Sequence, residues 1–428
     1  MSDEYLKVYK DKSVYVSSGS EKEYLEGPQS DTASKNQEAI KKELENGYLD
    51  RVISNSFLTD KEQELIADSL KTALENLVAS ITSEVGRAIV GLTFLQLTIK
   101  SISPNQSIRL HKASSKNTGF SWVDGIPMRV LDNTYITPKL REHNLLKLNA
   151  DGFMMTRSLA ENYPYTALYK ASIRGAKEEW VQIVNVVENN PITALPALKY
   201  LVTLLKQRSD DFLALVTKAK ETLNSFLRKT TNNEILKRKL FLFPQNSSYS
   251  ARLFEILIHS FYCVLSDDGA LQNYLKPLSQ MRSANKKHGN IGDIELIERK
   301  NTMLIIESWD AKYGKPYLRD ELEELRDKLE SHPETRIAGF ITETKPLLNK
   351  EITDRKSELE ELFGIQIKIE SIDEWYKHSL VEYKITDEDS FLRKWINTFF
   401  EYLSLNRTEI APIDEPTNVW LEECLNQI

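Results

Sequence analysis

The chain has 428 residues, 41% of them hydrophobic and 28% charged, with a net charge of −7. That length exceeds one typical core and points to two domains, and the net acidity excludes nucleic-acid binding through overall charge, so any such binding must use a local basic surface. The only cysteines, Cys263 and Cys424, lie far apart and outside any Cys/His cluster, which argues against a disulfide scaffold or structural zinc and for a reducing cytoplasm.

Residues 1–40 are polar and Ser/Glu-rich apart from a short SVYV run, and read as a mobile N-terminal arm. A helical pattern follows from Asn36 to Glu45 and stops at Asn46-Gly47. Leu58 to Ile99 reads as strongly helical: Thr59 and Glu62 have capping-box spacing, and Ile66, Leu70, Leu74, Leu77 and Ile81 recur every three or four residues. The run AIVGLTFLQLTI is nearly all apolar and is expected to be buried. The N-terminus has no apolar leader-like stretch, and the apolar run FEILIHSFYCVL is interrupted by Glu255 and His259 and too short to cross a bilayer, so no membrane association is expected.

Between residues 100 and 157 the runs SIRLHK, FSWV and TYITP suggest strands and loops. Nine basic residues, including Lys100, Arg109, Lys112, Arg129, Lys139 and Arg141, stand there against four acidic ones, interleaved with Phe120, Trp122, Tyr135 and Phe153. Such a stretch can meet phosphates with cations and stack aromatic rings on bases; equally, it can be a β-containing region with solvated basic residues. Three helical stretches then run from Tyr163 to Leu236, and a domain boundary is placed near residue 240. This gives an arm (1–40), a mostly helical domain with some β (41–240) and an α/β domain (241–428).

The last part alternates helices and strands, the pattern of a mixed α/β sheet covered on both faces. A helix spans Arg252 to Leu265, and a loop carrying Lys286, Lys287 and His288 leads to a β-hairpin, Ile291–Glu298 and Thr302–Lys312. A helix at Leu318–Leu329, a strand RIAGFIT, a further helix, a strand IQIKIES and two closing helices follow. The acidic run ELEELRDKLE in the first of these helices reads as a solvated face.

The hairpin concentrates Asp293, Glu307, Asp310 and Lys312. With a two-residue turn at Lys300-Asn301, Asp293 faces Ser308. Asp293, Asp310 and Lys312 then share one face, and Ile294, Leu296, Met303, Ile305 and Trp309 share the buried one. A slip by one residue would instead pair Asp293 with Glu307, so the second acid can be Asp310 or Glu307. Carboxylates this close repel unless a divalent cation lies between them, and oxygen-only ligands suit Mg²⁺. No Gly-rich phosphate loop, GxSxG or His-rich metal spacing is present.

An acid at a strand start, a spacer, then acid-x-Lys on the next strand resembles the PD-(D/E)XK nuclease superfamily, and within it the type II restriction endonucleases. Asp293 stands at the first acid and Asp310-Ala311-Lys312 at the second acid and lysine, with Glu255 on the preceding helix at the family's upstream glutamate and Glu307 as an alternative ligand. Here the first acid follows Gly292 rather than proline. The resemblance covers about residues 250–345. It implies an αβββαβ-type core and Mg²⁺-dependent hydrolysis of duplex DNA at a short sequence by a homodimer, with a cognate DNA methyltransferase encoded nearby. Arg109, Lys112, Arg129, Lys139, Arg141, Lys286 and Lys287 are the candidate DNA contacts. A modification-dependent or repair nuclease with the same core, or a non-catalytic DNA-binding or interaction protein, are the alternatives.

Overall fold

The computed structural model describes residues 4–17, 20–82, 86–112, 122–146, 162–278, 289–314, 317–404 and 416–427. The protein is mixed α/β and divides into two compact units, Met1–Phe212 and Leu213–Ile428. The division falls within one long helix, Ala194–Lys229. No helix among the described residues is long and apolar enough to cross a membrane.

Much of the stretch read as a mobile arm is structured. Strands β1 (Tyr5–Val8), β2 (Lys12–Ser17) and β3 (Ser20–Leu25) form an antiparallel meander. Tyr15 and Tyr24 from it pack with Leu110 and Trp122 in a small core, so contacts distant in sequence order a polar segment. Helix α1 (Asp31–Glu45) starts at Ser30, whose hydroxyl accepts from the Ala33 N–H, and α2 (Tyr48–Ser54) follows.

The expected continuous helix from 58 to 99 is three helices, α3 (Asp60–Leu65), α4 (Asp68–Ala79) and α5 (Arg87–Ile102). The Thr59–Glu62 capping box opens α3 as its spacing predicts. Before α5, Gly86 has φ +92°, and a Cβ there would stand 2.7 Å from the Ser80 carbonyl oxygen, so only glycine makes this turn unstrained. Helix α5 is buried on every side from Ile89 to Lys100.

Beyond it, the run expected as strand TYITP is helical. Helix α6 (Met128–Leu131) passes through a π-helical turn, Asp132–Ile136, into α7 (Thr137–Glu142). Among the described residues, β structure here is limited to single bridges, Glu26 to Trp122 and His111 to Ile126. Helix α8 (Lys177–Asn189) packs on α4 and α5, and α9 (Ala194–Lys229) follows.

The second unit contains α10 (Asn233–Leu242), α11 (Ser250–Asp267), β4 (Tyr274–Leu275), β5 (Ile294–Ile297), β6 (Ile305–Lys312), α12 (Leu318–Leu329), β7 (Ile337–Thr342), α13 (Lys350–Phe363), β8 (Gln366–Ser371), α14 (Ile372–Glu382), α15 (Glu388–Leu403) and α16 (Thr417–Gln427). The five strands lie side by side in chain order; β4, β5 and β6 are antiparallel, and β6, β7 and β8 are parallel.

One face of this sheet buries Ala338, Phe340, Ile367 and Ile369 against the leucines of α12 (Leu318, Leu322, Leu325, Leu329) and Ile352 and Leu359 of α13. That leucine spacing is the apolar stripe of an amphipathic helix. The other face meets α11, which packs on α15; Phe261 of α11 stands in an aromatic cluster with Phe391 and Trp395 of α15 and Trp375 and Tyr376 of α14.

Candidate active site

The hairpin register differs from the expected one by two residues. Glu295, not Asp293, faces Ser308, and Ile294 faces Trp309. A shift of two preserves which face each side chain takes, so Asp293 stays on the face of Asp310 and Lys312. The slip that would pair Asp293 with Glu307 is excluded, since Glu307 faces Leu296.

A bulge between Leu296 and Ile297 accounts for one residue of the shift, and a longer connection for the other. The connection is longer than two residues, with the Glu298 N–H donating to the Leu304 carbonyl at 3.0 Å. Met303, expected to be buried, is 79% exposed, and the bulge turns Ile305 away from Trp309 into the core under α12.

Asp293 stands just before β5. Its N–H donates to the Trp309 carbonyl at 3.0 Å, and its Oδ2 accepts from the Ala311 N–H at 3.1 Å, which brings its carboxylate beside Asp310. Asp310 is buried, and its Oδ2 lies 3.4 Å from Lys312 Nζ and 3.5 Å from Lys328 Nζ of α12. Both distances suit ion pairs and exceed the usual hydrogen-bond range. Lys312 also pairs with Glu321 at 2.5 Å. Burial disfavours its ammonium, but Asp310, Glu321 and Asp293 outweigh burial and hold the Lys312 pKa above the ordinary lysine value.

Asp293, Asp310, Lys312 and Lys328 line a cleft of about 620 Å³ together with Glu255, Asn290, Glu324, Asp327 and His332. Glu255 also pairs with Arg252 one turn back on α11. Five carboxylates (Glu255, Asp293, Asp310, Glu324, Asp327) therefore meet two ammonium groups, and the excess of negative charge favours a cation.

Glu307 lies on the opposite face, which corrects its placement as an alternative ligand at this cleft. Alternation turns it towards α11, where it accepts from Trp309 Nε1 at 2.6 Å and Tyr262 Oη at 3.3 Å. Burial pushes its carboxyl pKa up, against the two hydrogen bonds.

Two features of the cleft were not apparent from sequence. The α12 run read as a solvated face turns Glu324, Asp327 and Lys328 to the cleft; the signal was their helical spacing opposite the leucine stripe. Glu295, 2% exposed, accepts from Lys276 Nζ at 2.7 Å and from the Ile291 and Gly292 N–H groups at 2.6 and 3.4 Å. Lys276 also donates to Asn290 at 2.8 Å. This clamp fixes the backbone leading into Asp293; an acid two residues after Asp293 in a wholly buried strand was its only trace in sequence.

The expected basic surface is partly internal. Lys100 forms a buried pair with Glu188 at 3.0 Å, and Arg109 is buried, donating to the Tyr165 carbonyl at 2.7 Å and to Asn185 at 2.5 Å. Lys112 is half-buried and donates to the Gly27 and Trp122 carbonyls, both at 3.0 Å. Arg109 and Lys112 are thus corrected to structural cations, because buried backbone carbonyls take up their donors. Arg129 is half-buried, Lys139 pairs with Asp50 and Glu142, and Arg141 is exposed. Lys116, Lys147, Arg157, Lys286, Lys287 and His288 lie outside the described residues.

Among the described residues, Asp50, Glu142 and His143 are the one set of three potential metal ligands within 4.8 Å of one another. Lys139 already neutralises two of them, at 2.9 Å from each, and His143 bonds Asp50 at 3.0 Å, so they form an ion-pair network. In the cleft Asp293 and Asp310 offer oxygen donors only, the type a hard divalent ion takes, and Asp310 is ion-paired to Lys312 and Lys328. No protein-family model matches the chain, and no curated protein matches it by sequence.

Proposed function

We propose that this chain is a Mg²⁺-dependent endodeoxyribonuclease of the restriction type, hydrolysing phosphodiesters of duplex DNA at a short sequence in the cytoplasm. The observation that carries this reading is the meeting of Asp293, Asp310, Lys312 and Glu255 in one acidic cleft. The order α11, three antiparallel strands, α12 and a parallel strand supports it, because this is the αβββαβ order implied by the resemblance.

Asp293 and Asp310 would hold the ion. When bound, it supplies Lewis-acid polarisation of a phosphoryl oxygen and makes nearby water more acidic. Lys312, kept charged by its carboxylate neighbours, serves as a cation that orients the phosphodiester and offsets negative charge developing at phosphorus. Two strands require two such sites, so the working form is a homodimer. A nuclease of this kind must be kept off its host's DNA, hence a methyltransferase encoded nearby.

Purified protein with Mg²⁺ should cut phage DNA into discrete bands, and Asp310→Ala and Lys312→Ala should each stop cutting while DNA binding survives. Cutting that persists in both variants overturns the proposal. Parallel digestion of methylated and unmethylated DNA distinguishes the restriction enzyme from a modification-dependent relative.

A further inference from the structure

Asp310 Oδ2 is approached by two lysines whose remaining contacts differ. Lys312, 3.4 Å away, has a second carboxylate, Glu321, at 2.5 Å. Lys328, 3.5 Å away, has Asp310 as its one ion-pair partner among the described residues. Its side chain is only 16% exposed, so it is held over the cleft rather than extended into solvent. Lys328 lies seven residues after Glu321, two helical turns further on, so both side chains leave the same face of α12.

A divalent ion and an ammonium group compete for one carboxylate oxygen. If the ion takes Asp310, Lys312 keeps Glu321, whereas Lys328 loses its partner inside the cleft. We infer that Lys328 is a second cation of the site, which neutralises Asp310 in the free protein and binds a non-bridging oxygen of the substrate phosphodiester once the ion is in place. This rests on the functional reading above and adds a residue to it. Lys312 keeps its contact with Glu321 while it faces the phosphodiester, and Lys328, as the second cation, is exchanged from carboxylate to phosphate. No bond is made or broken by Lys328.

The test uses the full chain in two measurements: Mn²⁺ affinity of the free protein by calorimetry, and cleavage of phage DNA at saturating Mg²⁺. Removing a competing charge should make Lys328→Met bind Mn²⁺ roughly three- to tenfold more tightly, because charges this close interact strongly in a partly buried site. The same variant should cleave about 10- to 100-fold more slowly, the scale of losing one cation aimed at a transferring phosphoryl group. Lys328→Arg keeps the charge and should remain near wild type in both, which guards against a folding defect in the methionine variant.

Unchanged or weaker Mn²⁺ binding in Lys328→Met overturns the inference. Tighter Mn²⁺ binding with unimpaired cleavage overturns the phosphate role. Failure of the wild type both to bind Mn²⁺ and to cut instead overturns the functional reading, and that result is obtained before any variant is made.

Discussion

Glu307 separates the two faces of the sheet experimentally. Its carboxyl accepts from Trp309 and Tyr262, both buried. Glu307→Ala orphans two buried donors, at about 1–3 kcal/mol each, so a loss of roughly 2–6 kcal/mol is expected. Glu307→Gln keeps the acceptor oxygen and should cost about 1 kcal/mol or less in acid.

Burial raises the Glu307 pKa above the ordinary value, so folding favours the protonated form over what the unfolded chain shows. Its contribution to stability is complete below the unfolded-state pKa and is lost as pH rises through the folded one. The glutamine variant does not ionise. Its stability relative to wild type should therefore grow with pH above the ordinary glutamate range. Urea unfolding at a series of pH values measures this, with Mn²⁺ titration of the same samples. Both variants should bind Mn²⁺ as wild type does. A variant that keeps its stability but loses the ion would refute the placement of Glu307 outside the site, and a pH-independent difference would refute the account of its protonation.

Three further outcomes are expected. Glu295→Ala releases Lys276 and two backbone amides; with Lys276 35% exposed, the loss should be about 1–3 kcal/mol, accompanied by weaker Mn²⁺ binding as the backbone before Asp293 loosens, read by urea unfolding and calorimetry. Lys100→Met strands a buried Glu188 and should destabilise by about 3–5 kcal/mol without lowering the DNA affinity of the folded protein. Although burial opposes it, Lys100 and hydrogen bonds hold the Glu188 pKa low, so wild-type stability from this pair is present above the ordinary glutamate pKa and is lost as pH falls through the lowered one; acid unfolding should show less of this fall in the variant. Gly292→Ala places a Cβ 2.6 Å from Ser308 Oγ and 2.7 Å from the Trp309 carbonyl oxygen, so the backbone beside Asp293 must shift; calorimetry should show impaired Mn²⁺ binding.

The alternation of helices and strands from α11 to β8 was legible because amphipathic stripes and buried strand runs are local patterns. So was the meeting of Glu255, Asp293, Asp310 and Lys312, since strand parity survives a shift of two residues. The hairpin register was not legible: the bulge at Leu296–Ile297 has no glycine or Asn-Gly signature, and Ile305 changes face because of it. The meander at 5–25 was hidden because its order depends on Leu110 and Trp122, about a hundred residues away. Long-range satisfaction also misled the reading of charge: Lys100 and Arg109 are cationic in sequence but are neutralised or hydrogen-bonded within the core. TYITP is rich in strand-favouring residues yet helical, a case of tertiary packing overriding local preference.

Mn²⁺ titration of the wild type, Asp293→Asn and Asp310→Asn shows whether Asp293 and Asp310 together hold one divalent ion. One cleft-bound ion per chain is expected in the wild type and its loss in each variant, with Asp50→Asn unaffected. Wild-type Mn²⁺ binding in both cleft variants, or its loss only in Asp50→Asn, would contradict it.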